Sequence, residues 1–374
     1  MPVLANGRLV TPNGIVDGWL ETTGSMITAI GPGEPPGPPD RHVAGRWVVP
    51  GFVDIHVHGG AGADYISGDQ TAAGQIADLH RRHGTTTMLA SLVTADLDTL
   101  QATLASLAEL VDDGLLAGIH LEGPFLAPAR CGAHDRSLLR APDPDIVARL
   151  VSVGRGTIRM VTLAPELPNA MDAVRRLVRD GVVVAIGHTD ATYAQTRAAI
   201  DAGATVGTHL FNAMPPLHHR EPGPVPALLE DHRVTVELIC DGVHLHAAAV
   251  RLAISSAGAH RIALVTDAMA AAGRGDGDYH LGQLAVHVRD GVARLADSQT
   301  IAGSTLTMDR AFRFAVDVGA GIPEAVQMSS ATPARVLGLA DLIGSIEVGK
   351  HADLVVLDDD LSVHAVMRKG GWLQ

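Results

Sequence analysis

The sequence predicts an α/β protein: a (β/α)8 barrel over residues 51–344, with a small β-sandwich made from the two chain ends, 1–50 and 345–374. Three observations carry this. Short β-rich runs alternate with Ala/Leu-rich helical stretches throughout the middle, the pattern of repeated βα units. The β runs are almost continuously apolar, as parallel strands covered by helices on both faces must be. The middle segment also has the length of a barrel of this kind, typically ~250 residues and more with insertions. A doubly wound open sheet is the structural rival, but no GxGxxG opens a helix after a strand.

Each element follows from local sequence. At the N-terminus the apolar runs Val3–Leu4, Leu9–Val10, Ile15–Val16 and Trp19–Leu20 lie between Asn-Gly, Pro-Asn-Gly and Asp-Gly signals, the punctuation of hairpins. GPGEPPGPPD at 31–40 suits neither a ladder nor a helix interior, and strand character returns at Trp47–Val49. In the middle, β runs are expected at Val53–Val57, Thr85–Leu89, Gly118–Leu121, Ile158–Leu163, Val182–Ile186, Val234–Ile239 and Ile262–Val265. A further strand is expected to end at His209. Helices are expected at Ala72–His83, Leu97–Asp112, Asn169–Asp180, Tyr193–Ala202, Ala247–Ala257 and Met308–Val318. The C-terminal β runs are Gly344–Val348, Ala352–Leu357 and Val363–Met367.

Composition removes several function classes. Of 28 basic residues only Lys350 and Lys369 are lysines, so no lysine precedes residue 350. Phosphate-loop, Schiff-base and carbamylated-lysine chemistry inside the barrel is thereby excluded. The formal charge of −13 argues against nucleic acid as the main partner. Two cysteines, Cys131 and Cys240, cannot build a disulfide framework and fit a reducing compartment. With neither a signal peptide nor a long apolar span, a soluble cytoplasmic protein without membrane contact is expected.

The chemistry lies in what stands at the strand ends. VDIHVH (53–58) puts His56 and His58 on one strand face, pointing into the barrel. GIHLE (118–122) ends in Glu122, VAIGH (184–188) in His188, TVGTH (205–209) in His209, and IALVTD (262–267) in Asp267. The C-terminal ends of barrel strands form the active-site face. Each residue alone has a bland structural reading. Four histidines and two carboxylates converging there make a ligand field for Zn2+, with Fe2+ as the alternative and open positions for water.

With these residues in place the sequence resembles the N-acetylglucosamine-6-phosphate deacetylases of the amidohydrolase superfamily. The motifs are PGFVDIHVHG (50–59), HLEGPF (120–125), GHTDA (187–191), THLFNAMPP (208–216), REPG (220–223), DGVH (241–244), TDAM (266–269) and IAGS (301–304). They run in family order over almost the whole chain. The resemblance implies a metal site held by Glu122, His188 and His209. It implies a second at His56 and His58, giving one or two ions per subunit with Glu122 bridging and Asp267 also among the metal ligands. It makes Asp267 the catalytic acid/base and His134 the group that polarises the substrate carbonyl. It places Asn212 and Ala213 against the sugar phosphate, with His244 and Arg220 binding its phosphate. It further implies a homodimer, because this arginine is typically supplied by the neighbouring subunit.

The expected reaction is metal-dependent hydrolysis of N-acetyl-D-glucosamine 6-phosphate to D-glucosamine 6-phosphate and acetate, in amino-sugar catabolism and cell-wall recycling. Two rivals stand beside it: an amidohydrolase acting on an unphosphorylated cyclic amide, and a barrel kept only as a binding module. The first would not need Arg220 or HLFNAM. The second would be expected to lose metal ligands, and none is missing.

Overall fold

The computed structural model describes residues 2–373. Eight parallel strands follow one another in chain order around the centre: β1 (Phe52–Val57), β2 (Thr85–Leu92), β3 (Gly118–Glu122), β4 (Ile158–Leu163), β5 (Val183–Ile186), β6 (Val206–Gly207), β7 (Thr235–Ile239) and β8 (Ile262–Val265). The ring closes where β8 returns to β1. The Asp267 N–H donates to the His56 carbonyl at 2.9 Å, and Val57 bridges Ala268. The fold is thus the expected barrel, with every β1 and β3 residue buried.

A helix follows each strand: α1 (Gln70–Arg82), α2 (Leu97–Asp112), α3 (Pro144–Val153), α4 (Ala170–Arg179), α5 (Tyr193–Asp201), α6 (Pro224–Glu230), α7 (Ala247–Ala257) and α8 (Met308–Asp317). The apolar faces of these helices close the outer core; α2, for example, buries Leu100, Leu104, Leu107 and Ala108. Asp96 caps it by accepting from Thr99 N–H. Helices α3 and α6 had no counterpart among the sequence expectations. Both begin with proline at the first turn, where its missing N–H costs nothing, and α3 has Asp143 as its cap.

Both chain ends enter a second sheet of eight strands. Leu354–Leu357 pairs with Trp47–Pro50, which pairs with Val3–Thr11, joining the C-terminus to the N-terminus. Leu4, Leu9, Leu20, Val48, Ile346, Leu354 and Val356 share its core. Of the three N-terminal turn signals only Pro12-Asn13-Gly14 makes a hairpin turn. Asn6-Gly7 lies inside the first strand, where Asn6 takes φ 58° at a register shift. Asp17-Gly18 lies inside the second, where a Cβ on Gly18 would stand 2.0 Å from the Gly31 carbonyl oxygen. The expected strand at Gly344–Val348 is a set of bends and turns.

A three-stranded antiparallel sheet, Gly277–Leu281, Leu284–Arg289 and Val292–Leu295, is inserted after β8. It buries Leu281, Val286, Val288 and Ala293 against Val93, Ala133 and Met269, on the face where the strands end. No helix is long and apolar enough to cross a membrane among the described residues.

Candidate metal centre and active site

Period-two alternation along β1 turns Asp54, His56 and His58 inward, and along β3 does the same for His120 and Glu122. His188, His209 and Asp267 stand just past the ends of β5, β6 and β8. All three take positive φ, 47°, 25° and 49°. Left-handed backbone in three non-glycine residues costs about 1–3 kcal/mol each and persists where the surrounding structure imposes it, typically at functional sites. The effect is to swing these side chains back over the barrel mouth.

They converge on Glu122. One carboxylate oxygen lies 3.1 Å from His188 Nε2 and 3.0 Å from His209 Nε2; the other lies 3.0 Å from His58 Nε2 and 3.3 Å from His134 Nε2. Asp267 stands 3.2 Å from His58 Nε2 and 3.6 Å from His56 Nε2. Glu122, His56, His58, His188 and His209 are all nearly or wholly buried.

Hydrogen bonds on the far ring nitrogens decide which of these histidines can bind a cation. His58 Nδ1 faces the Ser91 carbonyl at 3.1 Å, His188 Nδ1 the Arg130 carbonyl at 2.9 Å, and His56 Nδ1 the Glu237 carboxylate at 3.0 Å. Each partner accepts only, so each Nδ1 carries a proton and each Nε2 is the nitrogen that faces the site. The Nε2 atoms meet in pairs: His56 and His58 Nε2 are 3.1 Å apart, His188 and His209 Nε2 3.0 Å. Ligands at ~2.0–2.1 Å from a tetrahedral ion stand about 3.3–3.4 Å from one another, close to these separations. The electrostatics agree. Burial alone would lower the pKa of His58, but hydrogen bonds to Asp267 and Glu122 outweigh it and raise it to about 9. Burial is likewise overcome at His56, held well above its ordinary value by Glu122, Glu237 and Asp267. The carboxylates therefore demand positive charge where the ring nitrogens converge, and the donor set fits a divalent cation.

His134 differs. The Thr94 backbone N–H, which can only donate, lies 3.3 Å from His134 Nδ1, and the Thr94 hydroxyl 2.9 Å from the same atom. With Nδ1 accepting, the proton sits on Nε2 and points into the site. Burial pushes the pKa of His134 down to about 4, so the ring is neutral at ordinary pH. His120 is held off from the centre because its two nitrogens bond the Ser91 and Thr162 hydroxyls at 2.9 and 2.8 Å. A Cβ on Gly132 (φ 55°) would stand 3.0 Å from His188 Cε1, so only glycine lets the 131–134 loop close over this ring.

Above the cluster opens a cavity of about 490 Å³. His58, Glu122, His134, His188, His209, Asn212, Ala213, His244 and Asp267 line it, as do Leu281 and Arg294 from the inserted sheet. His244 is fixed by Asp241, whose Oδ2 lies 2.7 Å from its Nδ1; this contact overcomes burial and raises the pKa of His244. The Asn212 amide donates to the His209 carbonyl at 3.1 Å. Arg220 is exposed, lies outside the cavity of its own chain and bonds His219 at 2.8 Å. Neither lysine lines the cavity; Lys350 pairs with Glu347 at 2.8 Å.

Ten of the eleven expected site residues thus meet at one place. Sequence reasoning gave no role to Glu237, Thr94 or the Asp241 of DGVH, and missed the inserted sheet. A charged residue inside the apolar run of β7 and the Asp290-Gly291 turn between alternating segments were the available signals.

Fold and site together define a hydrolase barrel whose site is suited to a divalent metal. A model of the amidohydrolase family matches residues 47–373. Among curated relatives, an N-acetylgalactosamine-6-phosphate deacetylase of Escherichia coli O157:H7 is 41% identical over 98% of each chain. An N-acetylglucosamine-6-phosphate deacetylase of Bacillus subtilis is 34% identical, covering 97% of this chain and 94% of that one. Among solved structures, N-acetyl-D-glucosamine-6-phosphate deacetylase of Mycobacterium smegmatis matches with a TM-score of 0.97 at 49% identity, covering 100% of both chains. An aspartate-to-alanine mutant of that protein is known in complex with N-acetyl-D-glucosamine-6-phosphate. The chain belongs to the amidohydrolase family, in its N-acetylglucosamine-6-phosphate deacetylase branch.

Proposed function

We propose that this protein hydrolyses N-acetyl-D-glucosamine 6-phosphate to D-glucosamine 6-phosphate and acetate. The observation that carries the reading is the pairing of imidazole Nε2 atoms around Glu122 beneath a cavity that also presents Asp267, His134 and His244. Glu122, His188 and His209 would hold one Zn2+, and His56, His58 and Glu122, next to Asp267, a second. Such an ion lowers the pKa of water from 15.7 towards ~7 and polarises the amide carbonyl.

The protein's own groups do the rest. Asp267 accepts the attacking water's proton and delivers it to the departing glucosamine nitrogen, since an unprotonated amine is a poor leaving group. Its carboxyl is held well below the ordinary range: burial opposes this, but His56 and His58 prevail, so it begins the cycle as a base. His134 Nε2–H donates to the carbonyl oxygen as negative charge gathers there. His244 faces the cavity as the group for the phosphate, and Arg220 reaches the neighbouring subunit's cavity in a homodimer.

The test is acetate release from four sugars: N-acetylglucosamine 6-phosphate, its C4 epimer N-acetylgalactosamine 6-phosphate, and the two unphosphorylated parents. A kcat/KM at least 100-fold higher for the first compound than for unphosphorylated N-acetylglucosamine is expected. Equal values for those two would refute the phosphate assignment, and a clear preference for the epimer would reassign the sugar.

A further inference from the structure

Glu237 lies at the centre of β7, wholly buried, with His56 as its only ion-pair partner among the described residues. A buried carboxylate without arginine or lysine beside it is costly unless it serves a neighbouring positive charge. One oxygen, Oε2, makes both of its bonds. It accepts from His56 Nδ1 at 3.0 Å and from the backbone N–H of His209 at 3.1 Å. Its other oxygen has no hydrogen-bond partner among the described residues.

From this arrangement we infer that Glu237 is the positioning residue of the second metal site, orienting His56 and tying it to the backbone of a ligand of the first. The inference rests on the metal-centre reading above but not on the substrate.

Three features support it. The backbone carbonyls of Ser91 and Arg130 hold the other oriented rings, His58 and His188, whereas His56 has an ionisable acceptor. A carboxylate behind a metal-bound imidazole fixes the tautomer and raises the basicity of the ligating nitrogen. The neighbouring His120, which packs edge-on to His56 at 4.6 Å, cannot take over the task, because it spends both nitrogens on hydroxyls. Finally, the left-handed turn at His209 brings its N–H to the same carboxylate oxygen that His56 uses. The carboxylate is therefore anchored on one side and directional on the other.

The experiment strips the protein with a chelator, titrates it with Zn2+, and reads metal per chain by mass spectrometry and affinity by competition. Glu237→Met removes the acceptor; Glu237→Gln keeps an acceptor but not the charge. Wild type is expected to bind two ions. The methionine variant should keep the ion at Glu122, His188 and His209 and bind the other 10–100-fold more weakly, with glutamine between. Melting temperatures of the stripped proteins separate this from a general loss of fold, which lowers the melting point without selecting one ion; should the methionine variant not fold, glutamine carries the test. Two ions bound at wild-type affinity in the variants, or a single ion in wild type, overturns the inference. Because metal content is the readout, a wrong substrate assignment leaves the result intact.

Discussion

Thr94 and His134 are joined by a contact that runs from backbone to ring: the Thr94 N–H meets His134 Nδ1 at 3.3 Å, which leaves the ring's proton on Nε2, aimed at Glu122 and the cavity. A ring in that tautomer is a donor rather than a metal ligand. His134→Asn should therefore lower kcat by about 10²–10³, the effect of removing one donor to a developing oxyanion, roughly 2.7–4 kcal/mol. Metal content should stay at the wild-type value. Loss of an ion would make His134 a ligand instead.

Asp267 contacts His58 and His56 but is placed at the rim of the cluster. Asp267→Asn keeps the shape and removes the proton acceptor. Turnover should fall below detection while bound metal, measured on the same sample, is retained. Near-normal kcat would remove the acid/base assignment.

His244 owes its raised pKa to Asp241. Its charged form, the one proposed to bind the phosphate, is present below that raised pKa and lost as pH rises through it. Replacing Asp241 with asparagine lowers the pKa, so the pH above which KM for the sugar phosphate climbs should move downward. KM measured from pH 5.5 to 8.5 on both proteins checks this; coincident profiles would contradict it. kcat at saturation should change far less than KM.

Arg220 stands exposed in a loop with His218 and His219, on a chain of formal charge −13 that repels anions at long range. Arg220→Ala should raise KM for the phosphorylated sugar roughly tenfold, the scale of one lost charged hydrogen bond, and leave the unphosphorylated sugar almost unchanged. Equal effects on both would eliminate the phosphate role.

The barrel and the cluster of histidines and carboxylates at its mouth were legible in the sequence for one reason: both are local signals. An apolar run ending in histidine or a carboxylate places that side chain on the functional face without any knowledge of the neighbours. Asp241 and Glu237 were harder, because their work is done through His244 and through His56, the latter 181 positions away. Thr94 acts through a backbone N–H, which no residue type announces. Asn6-Gly7 and Asp17-Gly18 read as turns because the same left-handed or side-chain-free backbone serves a bulge and a close strand crossing. The lysine shortage proved informative: with Lys350 and Lys369 away from the cavity, Glu122 alone stands between the two histidine pairs.

The central claim is that the histidines around Glu122 form a metal centre on which amide hydrolysis depends. The direct measurement is acetate release from N-acetylglucosamine 6-phosphate by chelator-stripped protein, before and during titration with Zn2+. Activity should vanish on stripping and return in proportion to added ion, saturating at one or two per chain. Undiminished turnover by protein shown to contain no metal would contradict the account.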